Sequence, residues 1–250
     1  MRVLLISDVH GNYDALRAVL EASPPHDDVW ILGDLVDYGP EPDAVVDEVR
    51  SLKPGVAVRG NHDHAAAYGV DCGCGDEVRW LSVYTREAVT ARLLDEGHRA
   101  WLRSLRIVEK REAGRFQVTV VHGSPSNPLY GYLKPGMSLE ELRASLAQRP
   151  GLRLRGGSVE PVSGLFAVGH AHVAYELRVD EARVLNPGSV GQPRDGDPRA
   201  SFGVLDLETG RFEIRRVEYD VARVVSKLRA LGLREDALEK LASILLTGRA

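Results

Sequence analysis

Side chains that bind metals or move protons gather at short polar breaks in this sequence: Asp8 and His10, Asp34, Asn61 with His62 and Asp63, His122, and His170 with His172. Five of the 8 histidines are in this set, and each polar break follows an apolar run. A single histidine is more often a surface or a satisfied core residue than a ligand, but recurrence at the end of one apolar run after another points to a built site. Carboxylates with neutral imidazoles suit borderline divalent ions, Mn, Fe, Co, Ni or Zn, rather than Ca, which takes an all-oxygen shell. Asp8, His10, Asp34, Asn61, His122, His170 and His172 are more ligands than one ion needs. Two ions sharing Asp34 use them economically, and ions about 3.5–4 Å apart are a device for hydrolysing phosphate esters. Water held between such ions loses its proton near neutral pH and becomes the nucleophile.

Strands must hold these residues in place. Val3 to Ile6, Asp28 to Leu32 and Val56 to Val58 are short continuous apolar runs, the pattern of strands buried on both faces. Gly60 permits a tight turn at the end of the third. Helical spacing follows the first two, at Leu16, Val19 and Leu20 and at Val45, Val46, Val49 and Leu52. Strand-to-helix steps of this kind predict a largely parallel sheet in the amino-terminal half, with its ligand crevice at the carboxyl ends of the strands. Residues 65–105 change to a Gly-rich cysteine loop and then to helical periodicity, read as an insertion over one end of the sheet.

Further on, Arg106 to Lys110 with Phe116 to Val121, and Phe202 to Leu207 with Phe212 to Val217, predict hairpins. Leu165 to Val168, Tyr175 to Val179 and Arg183 to Leu185 are further strands. The carboxyl half thus reads as antiparallel, a second sheet packed on the first, and helices close the chain at about 220–247. The Pro- and Gly-rich stretch 124–136 has a length that usually goes with covering a site. The expected class is α+β, an α/β sandwich of two packed mixed β-sheets flanked by helices, as one domain over residues 1–250.

A chain of 250 residues with 44% hydrophobic and 27% charged residues excludes disordered and fibrous classes. The net charge of -4 gives no basic field for a nucleic-acid polymer or an anionic membrane. An anionic substrate must therefore be attracted locally, and bound metal would do so. The apolar run at Met1–Ile6 stops at Ser7-Asp8, short of a signal segment, and no later run approaches a membrane span, so a cytoplasmic location is expected. Cys72 and Cys74 are too close for a relaxed disulfide and too few for a zinc site on their own, and are expected to be reduced loop residues without a role, the alternative being a redox or second metal role.

Asp8-x-His10, Gly33-Asp34, Gly60-Asn61-His62-Asp63, His122 and Gly169-His170-x-His172, in that order, resemble the five signature blocks of the calcineurin-like metallophosphoesterase superfamily. The resemblance implies that Asp8, His10, Asp34 and His172 hold one metal and that Asp34, Asn61, His122 and His170 hold the other. It implies that His62 protonates the leaving oxygen or stabilises charge there, with Asp63 orienting its imidazole. The implied fold, two packed sheets flanked by helices, agrees with the reading above. Serine/threonine protein phosphatases of this fold carry Asp-Arg-Gly after the second block, where this chain has Asp37-Tyr38-Gly39-Pro40, and Asn-His-Glu where Asp63 stands. The Asp-x-His-Gly-Asn start and the stretch Asn186-Pro187-Gly188-Ser189-Val190-Gly191-Gln192-Pro193-Arg194 resemble small bacterial and archaeal phosphodiesterases, some of which hydrolyse diadenosine polyphosphates.

For substrate contacts, Arg194 has the planar fork that suits a phosphate, the alternative being a solvated loop arginine. Tyr38 and Tyr130 are stacking surfaces for a base or aryl group, or else ordinary loop packing. Asn12 binds phosphate or caps the helix that follows it. The expected function is a two-metal phosphodiesterase or dinucleoside polyphosphate hydrolase acting on a small phosphate ester, with no nucleic-acid or membrane partner. The alternatives are a phosphomonoesterase or protein phosphatase, and a protein-binding scaffold of the same fold, against which the presence of His62 and His122 speaks.

Overall fold

Val3 and Leu5 face one way along the first strand and Leu4 and Ile6 the other, and all four are fully buried. A strand covered on both faces has this period-2 pattern with apolar residues at every position. In the computed structural model, which describes residues 1–147 and 162–250, that strand, β1 (Arg2–Ile6), is the centre of the first of two sheets. It is followed by α1 (Tyr13–Ala22), β2 (Asp28–Ile31), α2 (Pro42–Ser51) and the short β3 (Val56–Ala57). β1, β2 and β3 run parallel, with Leu5 opposite Trp30 and Trp30 opposite Val56.

α3 (Asn61–Tyr68), α4 (Asp76–Thr85), a π-helical turn at Arg86–Thr90, α5 (Ala91–Leu93) and α6 (Glu96–Ser104) come next. The second sheet is built from β4 (Val108–Ala113), β5 (Phe116–Val121), β6 (Ser163–Ala167), β7 (Ala174–Val179) and β8 (Glu181–Pro187), with α7 (Leu139–Leu146) between β5 and β6. β9 (Ala200–Asp206), β10 (Phe212–Val217), α8 (Val221–Ala230) and α9 (Glu235–Thr247) complete the chain.

The carboxyl half does not form the second sheet alone. The β9–β10 hairpin returns to the first sheet, giving the order β10-β9-β1-β2-β3, with Leu205 antiparallel to Val3. β9 is buried along six of its seven residues, as needed to cover the open edge of β1. Nor is the second sheet antiparallel throughout. Its order is β4-β5-β6-β8-β7, and β5, β6 and β8 run parallel at its centre.

The two sheets face each other across a layer that includes Val3, Leu5, Trp30, Val118, Val120, Leu165 and Leu205. α1 and α2 cover the outer face of the first sheet through Leu16, Val19, Val45 and Val49. α8 and α9 pack together with Tyr38 and Leu81 against one end. Among the described residues no helix is long and apolar enough to cross a membrane.

Candidate metal centre

The ligand candidates lie just beyond the carboxyl ends of strands, on backbone that few side chains accept. Asp8, His10, Asp34, Asp37, Tyr38, His170 and His172 have φ between +49 and +68, and only Lys53 and Asp180 share that sign among the other described non-glycine residues. The left-handed region costs a non-glycine residue energy, and such strain concentrates at functional sites held by the surrounding structure. Backbone pairs do the holding: Asp8 N–H donates to Gly33 O at 3.0 Å, His10 N–H to Asp34 O at 3.0 Å, and Gly11 N–H to Leu35 O at 2.8 Å. The third segment approaches so closely that a Cβ on Gly60 would lie 2.0 Å from Asp34 Oδ1.

Two clusters result. Asp8, His10, Asp34 and His172 each bring one ligand atom within 4.8 Å of the others, and Asp34, His122 and His170 do the same. Asn61 joins the second cluster, its Oδ1 lying 3.0 Å from His122 Nε2. Asp34 belongs to both: its Oδ2 lies 3.1 Å from His122 Nε2 and 3.7 Å from His10 Nε2.

The donor atoms fit a cation. Nδ1 of His10, His122 and His172 each faces a backbone carbonyl, of Val36 at 3.0 Å, Leu32 at 2.8 Å and Gln192 at 2.6 Å. A carbonyl only accepts, so Nδ1 carries the hydrogen; the neutral rings of His10 and His172 turn the Nε2 lone pair inward, as metal-bound imidazoles do, and His122 would do so on giving up its second proton to a metal. His10 Nε2 and His172 Nε2 then face each other at 3.2 Å without a proton between them. Asp8 Oδ1, Asp34 Oδ2 and His170 Nε2 are buried and make no hydrogen bond. Orphaned lone pairs of this kind are costly unless a cation satisfies them.

Charge follows the same arrangement. Burial first, and then the charges of His62, Arg194 or His122, hold His10, His172 and His170 well below the usual histidine range, so these rings are neutral. Burial favours a neutral Asp34, but His122 and His62 outweigh it and keep the carboxyl well below its usual range. His122 gains in return: burial lowers it, the Asp34 carboxylate more than compensates, and it rises to about 9. Asp8 is pushed up to about 7, mainly by burial. Without metal, a proton on His122 does part of a cation's work.

His62 stands beside the clusters, Nε2 4.0 Å from Asp34 Oδ2. Its partner is not the expected one. Asp63 accepts backbone N–H bonds from Asp34 at 2.9 Å, Leu35 at 2.7 Å and Gly60 at 3.0 Å, and so ties the second and third strand ends together. Among the described residues no hydrogen bond joins it to the His62 ring. Asp37 takes that place, Oδ2 lying 2.9 Å from His62 Nδ1. Arg86 binds the same oxygen through Nε at 2.9 Å and Nη2 at 2.6 Å. The signal for Asp37 in the sequence is its place three residues after Asp34; Arg86 had none.

The cysteines also depart from expectation, being joined in a disulfide. Gly73, at φ +62, reverses the chain between them and brings their Cα atoms to 5.4 Å, within disulfide range.

Of the expected substrate contacts, Arg194 faces the site. Its guanidinium lies 5.9 Å from the Tyr38 ring and is steadied by Gln192 Oε1, with Nε at 3.2 Å. Asn12 is committed elsewhere: Oδ1 accepts from Ala15 N–H at 3.1 Å, capping α1, and Nδ2 donates to Gly191 O at 3.0 Å. Tyr38 is 2% exposed and packs against the His10 and His62 rings at 5.0 Å, which makes it wall rather than stacking platform. Tyr130 is exposed and lies over the cysteine loop, where a Cβ on Gly73 would come within 2.9 Å of its ring. Tyr132, in the same 124–136 stretch, packs on His170 with ring centroids 4.2 Å apart and the planes tilted by 32°.

Residues 1–210 match the calcineurin-like phosphoesterase superfamily domain. The chain is 30% identical over 247 residues to an uncharacterized protein of Methanocaldococcus jannaschii, covering 90% of this chain and 91% of the relative. It is similar to a metallophosphoesterase of Sphaerobacter thermophilus of known crystal structure, with a TM-score of 0.79 and 34% identity over 99% of each chain. A shorter match, 49% identical over 67 residues, pairs 25% of this chain with 23% of the symmetrical bis(5'-nucleosyl)-tetraphosphatase of Yersinia enterocolitica. With its ligand clusters, strand order and these likenesses in agreement, the chain belongs to the calcineurin-like phosphoesterase superfamily and is a phosphoester hydrolase.

Proposed function

We propose that this protein is a two-metal phosphodiesterase acting on small phosphodiesters, dinucleoside polyphosphates among them. The observation that carries the proposal is the position of Asp34 Oδ2, shared between the two clusters and 4.0 Å from His62 Nε2. Asp8, His10, Asp34 and His172 would hold one divalent ion and Asp34, Asn61, His122 and His170 the other. Bound there, manganese or a similar ion supplies Lewis acidity and an acidified water.

The remaining work falls to the protein. Protonated His62 gives the Nε2 proton to the leaving oxygen as the phosphorus–oxygen bond breaks. The Asp37 carboxylate stabilises the imidazolium and keeps Nδ1 engaged, so that Nε2, beside Cys74 Sγ at 3.1 Å, is the nitrogen turned toward the clusters. Arg194 takes a non-bridging phosphate oxygen, and Tyr38 closes the wall behind it. A diester rather than a phosphoprotein is favoured because Tyr38 stands where the protein phosphatases of this fold place a phosphate-clamping arginine. The local likeness to a bis(5'-nucleosyl)-tetraphosphatase supports the dinucleoside class.

The test is a side-by-side rate comparison of aryl phosphodiester, aryl phosphomonoester and dinucleoside tetraphosphate with Mn, Co or Ni. Faster diester or dinucleotide cleavage is expected, and faster monoester cleavage would overturn the substrate class. His62→Ala is expected to lower kcat by about 10²–10⁴-fold with metal content unchanged; full activity in that variant would remove the role assigned to His62.

A further inference from the structure

The cysteine loop belongs to neither ligand cluster, yet it closes on His62. Cys72 Sγ, Cys74 Sγ and His62 Nε2 lie within 4.8 Å of one another, and Cys74 Sγ is 3.1 Å from His62 Nε2. Cys72 is buried and Cys74 half-buried, so the group is shielded but reachable. His62 is oriented for ligation. Its Nδ1 faces the Asp37 carboxylate, which only accepts, so the neutral ring turns its Nε2 lone pair toward the sulfurs. A carboxylate behind an imidazole is the support that metal-binding histidines use, and Arg86 fixes that carboxylate in turn.

We propose that reduced Cys72 and Cys74 form, with His62, a third metal site for a thiophilic divalent ion such as Zn, and that filling it removes His62 from proton transfer. Two thiolates and an imidazole are a soft donor set, unlike the carboxylate–imidazole clusters beside it. Tetrahedral zinc with bonds of about 2.3 Å to sulfur and about 2.0 Å to nitrogen sets its ligand atoms roughly 3.5–3.8 Å apart. The present spacing of Cys74 Sγ and His62 Nε2 is within a few tenths of an ångström of that. Gly73 and Gly75 flank Cys74 and give the loop room for the sulfurs to separate.

The site opens by thiol–disulfide exchange. A dithiol reductant is oxidised to its cyclic disulfide, the Cys72–Cys74 bond breaks, and two electrons and two hydrogens pass to the cysteine sulfurs. The ion then displaces both thiol protons, which leave to solvent. A bridge with a sequence separation of 2 closes a very short loop and gains little from chain entropy, so opening it costs little fold stability. Asn61 keeps its main partner in the process: its Nδ2 donates to the Cys72 backbone carbonyl at 2.8 Å, and only its longer contact to Cys74 Sγ, at 3.8 Å, involves a sulfur that the ion would take.

The proposal goes beyond phosphodiester hydrolysis, and metal counting tests it whatever the substrate is. The full-length protein is reduced with a dithiol, freed of it anaerobically, and loaded with Zn or Co. Reduced wild type is expected to bind one equivalent more than the oxidised protein or reduced Cys74→Ser. Its cobalt form should show thiolate-to-cobalt charge transfer, lost in both Cys74→Ser and His62→Ala. Excess Zn should lower the turnover of reduced wild type by about 10²-fold, while Cys74→Ser keeps its basal rate. Equal metal counts in reduced wild type and Cys74→Ser, no charge-transfer band, or equal inhibition of the two would overturn the proposal.

Discussion

Asp37 Oδ2 lies 2.9 Å from Nδ1 of His62 and receives Arg86 on its other side. In the proposed reaction the imidazolium of His62 would carry a positive charge beside the metal clusters, and this buried carboxylate is the group placed to stabilise that charge. Asp37→Asn keeps the shape and removes the charge. It is expected to lower kcat on an aryl phosphodiester by about 10²-fold with little change in KM. Steady-state kinetics with elemental analysis of the same sample checks this, and an unchanged kcat would reduce Asp37 to a packing role.

Arg194→Ala should act on the other parameter. The guanidinium is held by Gln192 and touches no ligand atom through a hydrogen bond among the described residues. KM is expected to rise about tenfold, equivalent to about 1.4 kcal/mol of lost binding, while the metal count stays the same. A fall in kcat at constant KM would instead place Arg194 in the chemical step.

The protonation of His122 and Asp8 ties metal-free stability to pH. Both folded values lie above the unfolded ones, His122 at about 9 and Asp8 at about 7. A raised folded value stabilises below the unfolded value and is lost as pH rises through the folded one. Below the usual histidine range the loss through Asp8 is opposed by His10, His170 and His172, which the fold holds neutral, so metal-free protein should lose thermal stability above about pH 7, toward pH 9, through His122. Added Mn or Co should restore it above pH 7 and release protons on binding. Melting temperatures from pH 5 to 9 with and without metal test this. A metal-free melting temperature that rises steadily across that range would contradict the assignment.

Gly60→Ala should damage the centre without replacing a ligand. The added Cβ would meet Asp34 Oδ1 at 2.0 Å and Asp34 N at 2.4 Å, and neither can withdraw without moving the shared carboxylate. The expected cost is about 1–3 kcal/mol in denaturant unfolding, with metal retention weakened. Full retention of both stability and metal would show that the turn has slack.

Much of this centre was legible because its information is local. A buried strand ending in a polar, glycine-bearing break marks where a side chain leaves the sheet, and Asp8, His10, Asp34, Asn61, His122, His170 and His172 all announce themselves in that way. What was not legible depends on long-range pairing or on a single dihedral angle. Asp63 and Asp37 are both near His62 in the folded chain, and the turn at Asp37, with φ +68, decides which carboxylate reaches the ring. The pairing of Arg2 with Asp206, which takes β9 to the first sheet, spans almost the whole chain. For Asn12 and Tyr38 the sequence left substrate contact open beside capping and packing, because the burial that decides it is set by α8, α9 and the 186–194 stretch, remote in sequence. The cysteine pair was misjudged because Gly73 reverses the backbone within one residue.

The most direct test of the two-metal reading is a metal titration of the oxidised, metal-free protein with Mn or Co, reading aryl phosphodiester turnover and bound metal together. Sharing of Asp34 between two clusters predicts that turnover climbs with the second equivalent and levels off there. Full turnover with one ion bound, or turnover in the metal-free protein, would contradict it.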